Sequence, residues 1–412
     1  MLASLALAMT FSNLFAEPIP VTIEARGGKF RLMRDGKPFV IKGVGGVNRI
    51  EEFVAAGGNA MRSWGVETAE RDLAECQKHG LGLMLGVWLG HKSYFDYANP
   101  KQVKDQYEAV KQAVLKHRNH PALLIWGIGN EMEINNDTPE LWKAIEDLCR
   151  MVKELDPNHP TATVVAEISP EKIQNIKKYC PSLDILGINS YGGLASLPKR
   201  LKEYGWTKPY LIAEFGPIGP WEVTKTTWGA AFEPTSTEKA KFFETNYQQS
   251  INSQSDQCLG SFAFLWGYKQ EETPTWFGMF LPTGERTQAV EVMTAQWGGK
   301  VTNQAPRITQ HKAEFAGKQI NPGSSLSAQV TATDPDQDPL AYEWEVRFEA
   351  TEKRWAGEGE KVPAKVGESV LTRTGTVTIP APTETAAYRL YVTIRDGKGN
   401  AATVNWPFKV VP

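Results

Sequence analysis

Short apolar runs alternate with longer amphipathic segments from about residue 38 to residue 298 of the chain. The eight runs are FVIKGV (39–44), NAMRSW (59–64), LGLMLGVWLG (81–90), ALLIWGIGN (122–130), TATVVA (161–166), LDILGINSY (183–191), PYLIAEF (209–215) and SFAFLWG (261–267). Between them, apolar residues recur at helical spacing, as in Leu141, Ile145, Leu148 and Val152. Eight strand–helix units over roughly 260 residues predict an α/β fold, the (β/α)8 TIM barrel, which we place at residues 25–298.

A doubly wound open sheet is the structural alternative for this pattern. Such a fold usually carries a glycine-rich phosphate-binding loop after its first strand. The segment GVGGVNR (43–49) is rich in glycine but matches neither GxGxxG nor a P-loop. The barrel is therefore the favoured prediction.

The pattern changes after Trp297. Residues 299–306 are predicted to form a linker, and residues 307–412 show alternating apolar and polar runs separated by turn residues. This spacing predicts a small all-β Ig-like sandwich. Within it, Asp334, Asp336 and Asp338 alternate along one loop, and such carboxylates are a candidate Ca²⁺ site, with a solvated turn as the alternative.

The first 16 residues are apolar and contain no Lys or Arg. The stretch is too short to cross a bilayer, and Ala16 precedes Glu17 as a small residue at a cleavage point, so residues 1–16 are predicted to be a signal peptide. A buried N-terminal strand or helix is the alternative. The prediction places the protein outside the cytoplasm, either secreted or periplasmic, and no other apolar run is long enough for a membrane span.

Composition excludes several partners. The chain has 45 Lys and Arg against 47 Asp and Glu, so no general positive field exists for nucleic acid or an anionic membrane. Its four cysteines lack CxxC spacing, which argues against a metal or redox centre. Pairing of Cys149 with Cys180, or of Cys180 with Cys258, stays open. Thirteen tryptophans suggest stacking surfaces for sugar rings.

The chemistry of a TIM barrel lies at the carboxyl ends of its strands. Glu131 follows the fourth run and Glu214 lies near the end of the seventh. Cleavage of a glycosidic bond needs one carboxylic acid to protonate the leaving oxygen and a second carboxylate, about 5–5.5 Å away in retaining enzymes. Other residues at strand ends are Arg62, Trp64, Trp88, His91, Asn130, Asn189, Tyr191 and Trp266. Trp221 and Trp276 occupy two long loops, where binding is favoured over a core role.

Five motifs resemble clan A glycoside hydrolases, especially families 2 and 5. They are HRNHPALLIWGIGNE (117–131), LIAEFG (211–216), MRSWG (61–65), NSYGG (189–193) and FLWG (264–267), within a similarity that covers about residues 30–298. The later acidic loop resembles loops of PKD- and cadherin-like Ig modules.

This resemblance implies roles for individual residues. Glu131 would be the general acid and then the general base, and Glu214 the nucleophile. Asn130 would bind the 2-hydroxyl of the sugar, Arg62 and Tyr191 would contact Glu214, and Trp266 would form the floor under the sugar. The other substrate-binding candidates are Trp88, His91, Asn189, Trp221 and Trp276. No metal or cofactor is expected.

The resulting expectation is a retaining hydrolase of β-linked poly- or oligosaccharides. A β-glucan is the first expected substrate, and a mannan or galactan the second. A transglycosylase using the same residues is one alternative. A non-catalytic carbohydrate-binding protein of the cell wall is another, although binding alone needs no matched pair of glutamates.

Overall fold

The computed structural model describes residues 17–351 and 359–412. The predicted signal peptide at residues 1–16 lies outside the described residues. The structure contains an N-terminal β-hairpin region, a closed parallel barrel and a C-terminal pair of sheets.

The eight predicted strands form a closed parallel barrel, which confirms the TIM barrel prediction. Its strands are β4 (Ile41–Gly45), β5 (Ala60–Arg62), β6 (Gly82–Val87), β7 (Leu123–Asn130), β8 (Thr161–Ala166), β9 (Ile185–Asn189), β10 (Tyr210–Phe215) and β11 (Cys258–Ala263). They neighbour one another in chain order, and β11 pairs with β4 to close the barrel. Most of their residues are buried, as expected for a parallel sheet covered by helices.

The helices connect the strands. They are α1 (Ile50–Ala55), α2 (Ala69–Lys78), α3 (Pro100–His117), α4 (Pro139–Leu155), α5 (Pro170–Tyr179), α6 (Leu197–Glu203), α7 (Ser236–Asn246) and α8 (Gln288–Trp297). Three of them begin with a proline preceded by a side chain that caps the free N–H groups: Asn99 for α3, Thr138 for α4 and Ser169 for α5. Proline fits there because the first helical N–H has no partner within the helix.

An antiparallel sheet precedes the barrel and covers its lower end. It consists of β1 (Val21–Arg26), β2 (Lys29–Arg34) and β3 (Lys37–Pro38). Val21 and Leu32 belong to one buried cluster with Ile41 and Leu259, which lie at the starts of barrel strands. The barrel is therefore closed by packing at the end opposite to the carboxyl ends of its strands.

The C-terminal region is a sandwich of two sheets, as predicted. Its strands are β12 (Arg307–Ala313), β13 (Gln319–Ile320), β14 (Ser325–Thr333), β15 (Ala341–Phe348), β16 (Lys365–Thr372), β17 (Thr376–Pro380), β18 (Ala387–Arg395) and β19 (Ala401–Val410). One sheet has the order β12-β14-β17 and the other β13-β19-β18-β15-β16. Trp344, Tyr388 and Phe408 belong to the core between them.

The sandwich rests on the last two helices of the barrel. Backbone N–H groups of Thr403 and Ile308 donate to the hydroxyls of Ser236 and Thr237 at the start of α7, both at 2.9 Å. The four cysteines are buried free thiols, so neither disulfide considered from the sequence is present. Among the described residues, every helix is too short or too polar to cross a bilayer.

Candidate active site

Glu214 lies on β10 and is held by three hydrogen-bond donors. Arg62 Nη1 donates to Oε1 at 2.8 Å, and Trp64 Nε1 donates to the same oxygen at 2.9 Å. The Tyr191 hydroxyl donates to Oε2 at 2.9 Å. Burial and the nearby Glu214 and Glu131 charges raise the pKa of Tyr191 well above its usual value, so the phenol keeps its proton and remains a donor. The predicted contacts of Arg62 and Tyr191 with Glu214 are therefore present.

Glu131 follows β7 in a left-handed backbone conformation, with φ of 56°. Such conformations are uncommon outside glycine and often occur at functional sites. Burial and then the charge of Glu214 raise the pKa of Glu131 to about 8, and a hydrogen bond from Asn189 partly opposes this rise. Asn189 Nδ2 donates to Glu131 Oε1 at 2.7 Å. A carboxyl group with this raised pKa holds its proton at neutral pH.

Asn130 connects the surroundings of the two glutamates. Its Oδ1 accepts from Arg62 Nη2 at 2.7 Å and from Asn189 Nδ2 at 3.2 Å. Because two donors hold the oxygen, the orientation of the side-chain amide is fixed. Residues from β5, β7, β9 and β10 thus form one hydrogen-bonded group at the carboxyl ends of the strands.

Two aromatic residues of this site had no role assigned from the sequence, although Trp64 was noted at a strand end. Trp64 donates to Glu214, and its ring lies over the Arg62 guanidinium at 5.2 Å. Phe264 makes edge contacts with Trp64 at 6.0 Å and with Tyr191 at 6.2 Å. The position of Trp64, two residues beyond Arg62 at a strand end, was the signal that could have revealed it.

Trp266 does not form the floor under the sugar, and that prediction is wrong. Its side chain is 0% exposed and packs among Phe53, Phe280 and Trp297. Strand β11 ends at Ala263, so the regular alternation of side chains does not extend to residue 266. Phe264 is the aromatic residue from this strand end that contacts the site.

Trp276 is also a core residue rather than an exposed binding residue. It is 1% exposed and belongs to a cluster with Tyr191, Ala231, Phe264 and Phe277. Its indole N–H donates to the Ile218 carbonyl at 2.9 Å. The residue therefore joins the loop after β11 to the loop after β10.

Trp221 stays accessible, with 58% of its surface exposed. Its ring meets Tyr191 edge-on at 5.5 Å, which places it beside the site.

On another side of the barrel mouth, Trp88 stacks on His91 at 4.8 Å and donates to the Tyr94 hydroxyl at 2.9 Å. Burial lowers the pKa of His91, and its Nε2 is a buried atom without a hydrogen-bond partner in the described part of the chain. Substrate contact by these residues stays a prediction.

A second ion pair lies close to the catalytic group. Lys269 pairs with Glu271 at 2.5 Å, and its ammonium lies 5.3 Å from the centre of the Phe264 ring. Burial raises the pKa of Glu271, and the charge of Glu214 contributes to the rise. The pair brings one cation and one further acid to the edge of the site.

The acidic loop of the sandwich differs from its sequence prediction. Oxygen atoms of Asp334, Asp338 and Asp396 lie within 4.8 Å of one another, whereas Asp336 accepts a hydrogen bond from the Gln304 N–H at 2.6 Å. Asp336 therefore holds the loop to the segment before β12. A Ca²⁺ ion at this loop stays a prediction.

Comparison with known proteins connects this geometry to a family. Residues 71–264 match the family model for glycosyl hydrolases family 2, TIM barrel domain. The β-glucuronidase of Chlorocebus aethiops is 25% identical over 176 residues, which cover 39% of this chain and 26% of that protein.

Solved structures show the same fold. The family 2 β-galacturonidase of Eisenbergiella tayi, bound to galacturonate, has a TM-score of 0.54 at 16% identity, covering 69% of this chain and 54% of that one. Bacteroides uniformis β-glucuronidase 2 has a TM-score of 0.54 at 14% identity, covering 95% of this chain and 48% of that one. The chain thus spans about half the length of these structures and about a quarter of the curated relative. The match of residues 71–264 to the family 2 TIM barrel domain, on a closed (β/α)8 barrel, confirms the resemblance of this part of the chain to clan A glycoside hydrolases.

Proposed function

We propose that this protein is a retaining β-glycosidase that uses Glu214 as nucleophile and Glu131 as acid and base. The observation that carries the proposal is the different environment of the two carboxyl groups. Glu214 accepts hydrogen bonds from Arg62, Trp64 and Tyr191, which stabilise a negative charge, whereas the pKa of Glu131 is raised to about 8. Two carboxyl groups in such different environments are what an acid and a nucleophile require.

The proposed reaction has two steps. Glu214 attacks the anomeric carbon while Glu131 gives its proton to the leaving oxygen, which forms a covalent glycosyl-enzyme. Glu131, now ionised, then removes a proton from water as the water attacks the same carbon and releases Glu214. Asn130 supports both steps, because its Oδ1 is occupied by Arg62 and Asn189 and its amide N–H groups remain for the sugar 2-hydroxyl.

A neutral β-glucan is the first substrate we propose. Arg62 and Lys269, the two cations that contact this group, are already paired with Glu214 and Glu271. A neutral sugar would leave both pairs intact. The exposed face of Trp221 beside Tyr191 offers a stacking surface for a further sugar ring.

A β-uronide is the second candidate, and two observations favour it. The relatives and structures described above are named β-glucuronidases and β-galacturonidases. The Lys269 ammonium also lies over the Phe264 ring. There it would pair with the carboxylate of a uronic acid in place of Glu271.

Paired substrates separate these candidates. We would compare the 4-nitrophenyl β-glucoside, β-glucuronide and β-galacturonide, followed by β-glucans, mannans and galactans as polymers. Glu214→Ala and Glu131→Ala serve as inactive references. Faster cleavage of the glucuronide, reduced by Lys269→Met, would replace the glucan with a uronide, whereas preference for the glucoside supports the first proposal.

Further readouts test the mechanism itself. NMR of the first product should show the β-anomer, and a 2-fluoro glycoside should label Glu214. Transfer to added sugar acceptors at the expense of hydrolysis would identify a transglycosylase. Binding of a polymer with no cleavage, equal in the wild type and both Ala variants, would instead favour the non-catalytic carbohydrate-binding alternative.

We also propose that the protein is exported, because residues 1–16 are apolar and end at a small residue. N-terminal sequencing of the protein recovered from the periplasm or medium tests this proposal. A mature chain that starts at Glu17 supports it, and an intact chain in the cytoplasm contradicts it.

A further inference from the structure

We propose that the C-terminal sandwich forms part of the architecture of the active site, and that Arg389 of β18 is a positioning residue for Glu214. Arg389 would act through the two barrel loops that surround the nucleophile, at residues 216–235 and 264–287. The proposal rests on the proposed function, because it assigns Arg389 an effect on the step in which Glu214 acts.

Arg389 belongs to the sandwich but contacts the barrel directly. Its side chain is 0% exposed. Nη1 donates to the Ala231 carbonyl in the loop after β10 at 2.9 Å and to Asn405 Oδ1 at 2.7 Å. Nη2 donates to Glu349 Oε1 at 2.9 Å, so the guanidinium is anchored within its own module while it holds the loop.

Asn405 extends this contact to a buried carboxylate of the barrel. Its Nδ2 donates to Glu233 Oε2 at 2.6 Å, and Glu233 lies in the same loop as Ala231. Glu233 also accepts from the Thr275 hydroxyl at 2.8 Å, which belongs to the loop after β11. One carboxylate therefore joins the sandwich to both loops.

This contact contains two buried ion pairs. Arg389 and Lys239 are buried cations, and Glu233 and Glu349 are their buried anionic partners. A buried group of this kind is costly to rearrange when one member is lost, because an uncompensated charge then remains away from water. The contact accordingly favours one arrangement of the two loops.

Both loops reach the nucleophile through packed aromatic residues. Ala231, which Arg389 holds, lies in one buried cluster with Trp276 and Tyr191. Trp276 follows Thr275 directly, and its indole N–H donates to Ile218 in the other loop. Tyr191 donates to Glu214. The chain of contacts thus runs from Arg389 to the carboxylate through side chains that are all buried.

A second contact from the sandwich reaches the same place. Glu360, which precedes β16, accepts from the Glu272 N–H in the loop after β11 at 2.8 Å. The charge of Glu360 also contributes to the raised pKa of Glu271, as does the charge of Glu214. Two separate parts of the sandwich therefore form hydrogen bonds with the loops beside the nucleophile.

The test compares full-length variants on the aryl glycoside that the wild type cleaves fastest. Arg389→Met and Asn405→Ala interrupt the contact at two points. Arg389→Lys keeps the positive charge but lacks the several N–H donors of the guanidinium group. Arg307→Met is the matched control, because Arg307 of β12 also pairs with a barrel residue, Glu291 of α8, which lies outside both loops. Circular dichroism confirms that each variant is folded at the assay temperature.

We expect Arg389→Met and Asn405→Ala to lower kcat and the rate of labelling by a 2-fluoro glycoside by about tenfold or more, with little change in KM. Small displacements of a reacting group have effects of this size. Arg389→Lys should recover part of the rate, and Arg307→Met should stay within about twofold of the wild type. Folded Arg389→Met or Asn405→Ala with wild-type kcat would overturn the proposal. Asn405→Ala alone decides the matter if Arg389→Met does not fold.

A readout without substrate keeps this inference separate from the proposed function. If the wild type cleaves none of the glycosides, the proposed function fails, and hydrogen exchange of the free protein still tests the contact. Arg389→Met should then increase exchange at residues 216–235 and 264–287, whereas Arg307→Met should increase exchange at neither loop. Unchanged exchange in Arg389→Met would refute the positioning role.

Discussion

Asn189 Nδ2 donates a hydrogen bond to Oε1 of Glu131 at 2.7 Å, so the carboxyl group that directly follows β7 is fixed by a residue of β9. The same hydrogen bond lowers the pKa of Glu131 and so opposes burial and the charge of Glu214, which both raise it. Asn189 Oδ1 is a buried atom with no hydrogen-bond partner among the described residues, which leaves an acceptor available to a sugar hydroxyl. A sugar hydroxyl bound at that oxygen would share the Asn189 side chain with Glu131.

Asn189→Ala should move the alkaline limb of the pH–rate profile to higher pH. The general acid must be protonated, so kcat/KM of the wild type should fall as pH rises through the Glu131 pKa of about 8. Without the Asn189 bond, which favours the charged form, this pKa rises further. A profile of kcat/KM from pH 5 to 10 measures the shift. The control is Asn175→Ala, whose amide bonds to Asp137, and a limb that moves downward in Asn189→Ala would contradict the assignment.

Glu131→Gln should stabilise the fold at alkaline pH. The folded-state pKa of about 8 lies above the ordinary value of 4.5, so ionisation of Glu131 costs folding free energy. This cost is absent below pH 4.5, grows between 4.5 and 8, and reaches on the order of a few kcal/mol above pH 8. Urea unfolding at pH 4 and pH 9 measures it. The exposed Glu51→Gln is the control, and an equal effect of Glu131→Gln at both pH values would refute the raised pKa.

Tyr191→Phe should slow the nucleophilic step while preserving the ring contacts. It removes one of the three donors to Glu214, and a hydrogen bond to a charged group typically contributes about 1.5–3 kcal/mol, or roughly 10- to 100-fold in kcat/KM. Tyr97→Phe is a matched control, because that buried hydroxyl donates to the Gly90 carbonyl. Steady-state kinetics of both variants give the comparison, and equal rates would remove Tyr191 from the site.

Trp266→Ala and Trp221→Ala should have opposite consequences. Trp266 is fully buried, so its truncation should lower the free energy of unfolding by about 3–5 kcal/mol. Trp221 is largely exposed beside Tyr191, so its truncation should leave Tm nearly unchanged and raise KM for an oligosaccharide. Thermal unfolding and substrate titration distinguish them. An unchanged stability of Trp266→Ala together with a raised KM would contradict this prediction and show that Trp266 binds substrate.

The barrel and its two glutamates were predictable because both follow from local pattern. Hydrophobic runs locate the strands, and strand ends locate Glu131, Glu214, Arg62 and Tyr191. Tryptophan is less informative, since its indole suits a sugar platform and a core equally well. Trp266 and Trp276 lie in the core, while Phe264 and Trp64 contact the site. The number of tryptophans in the sequence does not show which of them lie in the core and which contact the site.

The contact between the sandwich and the barrel could not be predicted from the sequence. Arg389 and Ala231 lie 158 positions apart, and no spacing or motif links them. The sequence predicted a linker and a small β-sandwich but not their position against the barrel, because turn residues and alternating runs report only local structure. The position of a module against a barrel depends on side chains that become neighbours after folding.

The N-terminal sheet gives the molecule a defined orientation. Its strands β1 and β2 pack on the starts of the barrel strands, whereas Glu131 and Glu214 lie at the opposite end. A surface, carrier or fusion partner attached ahead of Val21 would therefore lie at the end of the barrel opposite to Glu131 and Glu214. Long chains or insoluble particles could then reach the catalytic pair without obstruction from the support.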